Sequence, residues 1–185
     1  MQKALADMTL QELWDLFPVI LTPHNPQWKA WAAAETEHLS TVLADFSPVI
    51  NHIGSTAIPG ILAKPIIDIL VEIPAGCDRD SIRTRMESDG YICMSSSPSR
   101  MSFNKGYTLH GFAKKVFHIH FHAIGDNSEI LFRDYLAAHP ETARKYESLK
   151  QSLLPEFRND RDGYTQAKSP FIKQITDIAA KAQNT

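Results

Sequence analysis

The chain has 185 residues, an apolar share of 43%, a charged share of 22% and a net charge of −2. Those values fit an ordinary soluble domain with a sizeable core, and they exclude the cationic field that a sequence-independent nucleic-acid binder needs. Cys77 and Cys93 are the two cysteines, without CxxC spacing, which suits a reducing compartment. The opening run MQKALADMTLQELWDLF carries acids where a signal peptide needs an apolar stretch, and no window is long enough to span a membrane. The expectation is a cytoplasmic protein with neither nucleic acid nor membrane as partner.

Thr9 to Glu12 has the capping-box pattern, and Leu10, Leu13, Trp14 and Phe17 follow at helical spacing until Pro18. Asn25-Pro26 starts a second helix whose stripe of Trp28, Trp31, Leu39, Val42 and Leu43 reaches about Phe46. Val49 to Ile53 and Ile66 to Ile73 read as strands. Asp78 to Asp89 has helical spacing at Ile82 and Met86, with Gly90 as its stop. Tyr91 to Met94 and Met101 to Tyr107 read as a hairpin around a polar turn, and Lys115 to Ala123 is a clearly alternating strand. Ile130 to Ala138 and Glu141 to Leu153 are helical, Asn159 to Lys168 reads as a polar loop, and Ser169-Pro170 as the cap of a last helix. The whole is one α+β domain over residues 1–185, with N-terminal helices 9–46, a sheet core 49–123 and C-terminal helices 128–183.

Alternation along the Ile66–Ile73 strand puts Ile67, Ile69, Val71 and Ile73 on a core face, and Ile66, Asp68, Leu70 and Glu72 on the other. An acid in so apolar a run needs a partner or a function. Asp68 and Glu72 lie about 13 Å apart along the strand, too far to share an ion, so Glu72 reads as a solvated strand end. The bland reading of Asp68 is a carboxylate hydrogen-bonded to the Ser55 turn or to a cap. The Gly54-Ser55 turn is itself a weak phosphate signal, through glycine's close backbone approach and the free N–H groups of a helix start.

Phe117, Ile119 and Phe121 alternate with His118, His120 and His122, so three imidazoles share one face. Histidines are often merely tolerated on such a face. Neighbours two residues apart, about 7 Å at Cα, can converge on one ion, whereas the outer pair, about 13 Å apart, cannot. His118 with His120, or His120 with His122, therefore qualifies. Joined by Asp68, such a nitrogen–oxygen set suits Mn²⁺, Zn²⁺ or Fe²⁺ better than Mg²⁺, and a neutral histidine beside Asp68 would also serve as a base. His52 stands where it can orient the Gly54-Ser55 turn. Lys64 and Lys105 are the first candidates for phosphate contact, ahead of Arg100, Arg133 and Lys168, although most such cations are simply solvated. Asp160 to Gly163 opens like a calcium loop but lacks the later acidic ligands. Tyr135, Tyr146, Trp28 and Trp31 read as packing residues.

The segments NPQW (25–28), NHIGSTAIPGILAKPIIDILVE (51–72), RMSFNKGY (100–107), FHIHFH (117–122), FRDYLAAHPETARKYESLK (132–150) and GYTQAKSPFI (163–172) together resemble the GrpB family from about Leu13 to Ile178. In some proteins a domain of this family is fused to dephospho-coenzyme A kinase, which hints at nucleotide metabolism. The resemblance implies a nucleotidyltransferase-like mixed β-sheet flanked by helices, with further helices at the C-terminus. In that superfold a Gly-Ser turn holds a triphosphate, and a following strand bears two acids one residue apart. A third acid from a later strand completes a site for two divalent ions. Gly54 and Ser55 carry over directly, and Asp68 as the second acid. The first acid's place is Ile66, and His118 or His120 stands for the third.

The resemblance thus implies a nucleotide or phosphate-bearing small molecule as ligand, and Mg²⁺ or Mn²⁺ ahead of Zn²⁺ as cofactor. Three functions stay open. One is nucleotidyl transfer from an NTP with Asp68 and His120 as catalytic residues; another is nucleotide binding without catalysis. The third is metal-dependent hydrolysis on the HxH pair.

Overall fold

The sheet anticipated between residues 49 and 123 forms with five strands in the computed structural model, which describes residues 3–183. The strands are β1 (Val49–Ile53), β2 (Ile67–Ile73), β3 (Ile92–Ser96), β4 (Met101–Thr108) and β5 (Gly111–Ala123). Their spatial order is β1-β2-β5-β4-β3, with β2 and β5 parallel and every other pair antiparallel. The helices are α1 (Leu10–Leu16), α2 (Gln27–Val42), α3 (Arg79–Ser88), α4 (Ser128–Ala138), α5 (Pro140–Phe157) and α6 (Arg161–Gln183). No described helix is long and apolar enough to cross a membrane.

Local chemistry sets the boundaries. Thr9 and Glu12 form the reciprocal cap of α1, the Thr9 N–H donating to Glu12 Oε2 at 2.7 Å and the Glu12 N–H to Thr9 Oγ1 at 3.2 Å. Asn25 Oδ1 accepts from the Gln27 N–H at 3.0 Å at the start of α2, and Asp78 caps α3 through the N–H groups of Asp80 and Ser81.

The period-two pattern of β2 and β5 decides which face is dry. Ile67, Ile69, Val71, Phe117, Ile119 and Phe121 are all buried against Trp28, Leu39 and Leu43 from the α2 region and Ile82 and Met86 of α3. Each such aliphatic side chain contributes about 1.5–3 kcal/mol on leaving water, so an Ile69→Asp change would break this face. A second core joins the C-terminal helices to the connection between β1 and β2, with Ile58 and Ile61 against Phe132, Leu136, Tyr146 and Ile175. It fixes α4, α5 and α6 beside the polar face of the sheet.

Two sequence expectations need correction. Residues 159–168 are not a loop, because α6 runs unbroken from Arg161 to Gln183 with Pro170 inside it. Asp160 opens that helix, accepting from the Gly163 N–H at 2.8 Å, so the DRDG run is a helix start. Pro170 and Gln166 are both exposed, so the carbonyl that proline leaves unpaired reaches water. Tyr164, Ile175 and Ala179 meanwhile bury one face on both sides of the proline. Glu72 is not a solvated strand end either: it is 4% exposed, and its Oε1 accepts from the Gly125 N–H at 2.8 Å and from Asn127 Nδ2 at 3.3 Å. The turn after β5 folds back over β2 and supplies those donors, which were invisible to a strand-by-strand reading.

Candidate functional site

The β2–β5 register sets Asp68 opposite His118 and Leu70 opposite His120. The carboxylate therefore lies between two imidazoles on the polar face. His120 Nε2 is 3.2 Å and His118 Nδ1 3.5 Å from Asp68 Oδ1. One donor atom from each of the three residues lies within 4.8 Å of the others, close enough to hold one cation. His122 takes no part: it is 3% exposed and its Nδ1 hydrogen-bonds the Asp126 carbonyl at 2.8 Å. Of the two histidine pairs the spacing allowed, the structure brings His118 and His120 to Asp68.

The surroundings decide protonation. Burial pushes the Asp68 carboxyl up, but hydrogen bonds from His118 and His120 and their charge outweigh it and hold the group well below the usual carboxylate range. Burial pushes His118 down to about 4, against the pull of Asp68. An ionised Asp68 facing a neutral His118 is the resulting state near pH 7. Tyr107 Oη lies 2.8 Å from His118 Nε2 and fixes that ring from behind. Tyr107 reaches this face because of a β-bulge at Gly106, where φ is +93° and an added Cβ would sit 2.3 Å from the Lys115 carbonyl. Strict alternation hid Tyr107 among the core positions.

Gly54 and Ser55 lie directly beside the acid. Gly54 has φ +71°, and Ser55 begins a single 3₁₀ turn, Ser55–Ala57. His52 Nε2 is 2.9 Å from Thr56 Oγ1, and Arg133 donates to the His52 carbonyl at 2.7 Å. His52 thus contacts the turn as the sequence suggested. Its ring lines a separate hollow of about 650 Å³ on the turn's far side, where His24 Nδ1 is buried without a hydrogen-bond partner.

The C-terminal helices bring cations into the cavity that Asp68 lines, one of them onto the turn itself. Lys150 of α5 is 2% exposed, donates to Ser55 Oγ at 3.3 Å and to the Leu62 carbonyl, and lies over the Tyr146 ring. Lys168 of α6 is 8% exposed, with Nζ 4.6 Å from the Tyr164 ring centre. Lys64 is half-buried ahead of β2, and Arg161 lies over Tyr107. Burial, then Lys168, pushes Lys150 down to about 7 against the pull of Glu147. Burial, then Lys168 and Arg161, brings Lys64 to about 7, and burial brings Lys168 to about 8 against the pull of Asp68. Lys150 escaped the sequence reading because a lysine on an amphipathic helix looks solvated.

Lys105 and Arg100 lie elsewhere. Lys105 projects from the opposite face of β4, 3.5 Å from Glu35 and 3.6 Å from Asp89, and Arg100 pairs with Asp126 at 2.9 Å. Asp68, His118, His120, Tyr107, the Gly54-Ser55 turn, Lys64, Lys150, Arg161 and Lys168 line one cavity of about 980 Å³.

The residues fit one cation with mixed ligands. They do not fit the paired ions of a full acid set, since Ile66, 3% exposed, occupies the first acid's place.

The sheet order and the turn beside it define a protein of the nucleotidyltransferase-like α+β fold. Cid1 poly(U) polymerase in its MgATP-bound form shares that fold, with a TM-score of 0.50 at 14% identity over 77% of this chain and 47% of that one. The chain belongs to the GrpB family, whose model, described as GrpB protein, matches residues 18–177. Conserved protein GrpB from Enterococcus faecalis superposes with a TM-score of 0.76 at 31% identity, covering 90% of this chain and all of that one. The glutamate-rich protein GrpB of Alkalihalophilus pseudofirmus is 37% identical across 85% of this chain and 93% of its own. A dephospho-CoA kinase of Mycolicibacterium paratuberculosis is 26% identical over 84% of this chain, which spans 44% of that enzyme.

Proposed function

We propose that this chain binds a nucleoside triphosphate in the large cavity and transfers its nucleotidyl group to a small acceptor. The observation that carries this reading is buried Lys150 on the Ser55 turn, with buried Lys168 lining the same cavity as Asp68. Three lysines withdrawn from water face only Glu147 and Asp68 as neighbouring carboxylates among the described residues, and a polyphosphate offsets the remaining cost. The Gly54 turn lets its backbone approach the phosphates closely, while Lys64, Lys150 and Lys168 carry the charge of the departing pyrophosphate. In the transfer, an acceptor oxygen bonds to the α-phosphorus as the bond to the bridging oxygen breaks. Pyrophosphate leaves with that electron pair, and the acceptor's proton passes to water. Asp68, His118 and His120 would hold a divalent cation, whose contribution is charge stabilisation at the α-phosphate. The similarity to a dephospho-CoA kinase and to an MgATP-bound polymerase supports a nucleotide as ligand.

The test is calorimetric titration with ATP and Mn²⁺, paired with a search for transfer of label from α-labelled ATP. Saturable binding that falls at least about tenfold in Lys150→Ala and Lys168→Ala, with transfer lost in Asp68→Asn, is the expected result. Absence of ATP binding at millimolar concentration overturns the reading. Ile66 in the first acid's place favours a second outcome, a nucleotide-binding domain without transfer, which shows as binding with no labelled product.

A further inference from the structure

The cavity that contains Asp68 extends well beyond the polar groups. Its floor crosses the sheet from β2 through β5 and β4 to the edge strand β3, roughly 14 Å at about 4.8 Å per strand. Chemical character changes along that floor. Ser55, Lys150 and Lys168 stand at the β2 end, Ser102 and Asn104 of β4 lie past the histidines, and Ile92 and Met94 form the β3 end. Helix α1 lines the same cavity with Leu10, Leu13 and Trp14, and Phe17 just after it packs on Tyr107 of β4 with ring centres 4.6 Å apart.

These apolar groups are unusually open. Leu10 is 55%, Ile92 44% and Met94 57% exposed, and α1 has no buried residue of its own. Scattered apolar side chains on a convex surface mean little, but here they line one concavity that continues into a polar site. Among the described residues the cations lining the cavity are Lys64, Lys150, Lys168 and Arg161, and Arg161 alone lies over the Tyr107 and Phe112 rings that pack on Phe17 after α1, so a polynucleotide would find one phosphate contact there at most. The space lies between a helix and a sheet within a cavity of about 980 Å³, which suits a small molecule rather than a protein segment.

We propose that the α1–β3 end is the acceptor subsite, and that the acceptor is a small hydroxyl compound with an alkyl or aryl body. The body lies between Leu10, Leu13 and Trp14 on one side and Ile92 and Met94 on the other, and the hydroxyl points at Asp68. This assignment rests on the nucleotidyl-transfer reading, which supplies the triphosphate at the opposite end. The step is the one balanced above, with the acceptor's hydroxyl oxygen as the nucleophile toward the α-phosphorus.

The experiment titrates the full chain with a homologous series of primary alcohols, from butan-1-ol to nonan-1-ol, followed by Trp14 fluorescence with Trp14→Phe as the signal control. Saturable binding that tightens about fourfold per added methylene is expected. Leu10→Glu and Met94→Glu should each weaken octan-1-ol binding by about tenfold or more. Both side chains are more than half exposed, so the variants fold, which circular dichroism verifies. Alcohols that bind without chain-length dependence, or variants that bind octan-1-ol like the parent chain, overturn the proposal. So does displacement of octan-1-ol by adenosine, which would make this end the nucleoside's seat. Failure of the nucleotide reading shows separately, as absence of ATP binding to the parent chain whatever the alcohols do.

Discussion

Asp68 occupies the space that a side chain at Gly54 would need: a Cβ added there would sit 2.5 Å from Asp68 Oδ2. With φ +71° and ψ −174°, Gly54 also holds a backbone conformation that essentially only glycine adopts. Gly54→Ala therefore strains the turn and expels the carboxylate from between its histidines. The expected cost is about 1–3 kcal/mol of stability, measured by urea unfolding. Mn²⁺ binding, followed by electron paramagnetic resonance, should be lost with it.

Tyr107 positions His118 through their hydrogen bond. A phenol oxygen can donate or accept, so the imidazole can turn its Nδ1 to Asp68 as a donor or to a cation as a lone pair. Tyr107→Phe should weaken Mn²⁺ binding by about tenfold or more while leaving the fold intact. An unchanged Mn²⁺ titration would show that the ring is held by its neighbours alone.

On the nucleotide reading proposed above, Lys150 opposes folding and serves binding. Replacing it with methionine keeps the stem's packing and removes a buried cation that Lys168 repels. A melting temperature no lower than the parent's, with ATP affinity reduced about tenfold or more, is the expected pair of results. Thermal unfolding and calorimetry on the same preparation check both.

The lysine values give pH dependence a definite sign. Lys150 titrates near 7 when folded, against 10.5 ordinarily, so between those values the unfolded chain binds more protons. Stability of the ligand-free protein should therefore rise with pH across that window. ATP binding needs the protonated lysine and should run the opposite way, weakening by up to about tenfold per pH unit for each lysine that titrates. Proton uptake on ATP binding at pH 8, read from calorimetry in buffers of different ionisation enthalpy, tests the linkage directly.

Much of the site follows from alternation alone. Asp68, His118 and His120 share a face because strands have a period of two, and their meeting needed just one further fact, that β2 and β5 are neighbours. Tyr107 was hidden because a single bulge at Gly106 shifts the register by one residue. Lys150 and Lys168 were hidden for a different reason. Their role depends on how α5 and α6 pack against a turn roughly a hundred residues earlier, and helical periodicity carries no such information. Pro170 misled because proline is a common helix opener, whereas an exposed proline inside a well-anchored helix is tolerated.

The contact between Lys150 and the Ser55–Leu62 connection also bears on biosynthesis. Strands β1 to β5 can pair as soon as Ala123 is made, but the Ser55 end of the cavity has Lys64 as its one lysine among the described residues until Lys150 and Lys168 follow. A nascent chain at that stage would expose the Ile58 and Ile61 surface that later packs under α4 to α6. The site is thus the seam along which the second half of the chain closes onto the first. If the proposed polyphosphate binds there, it would offset the lysines' mutual repulsion and so hold the two halves closed.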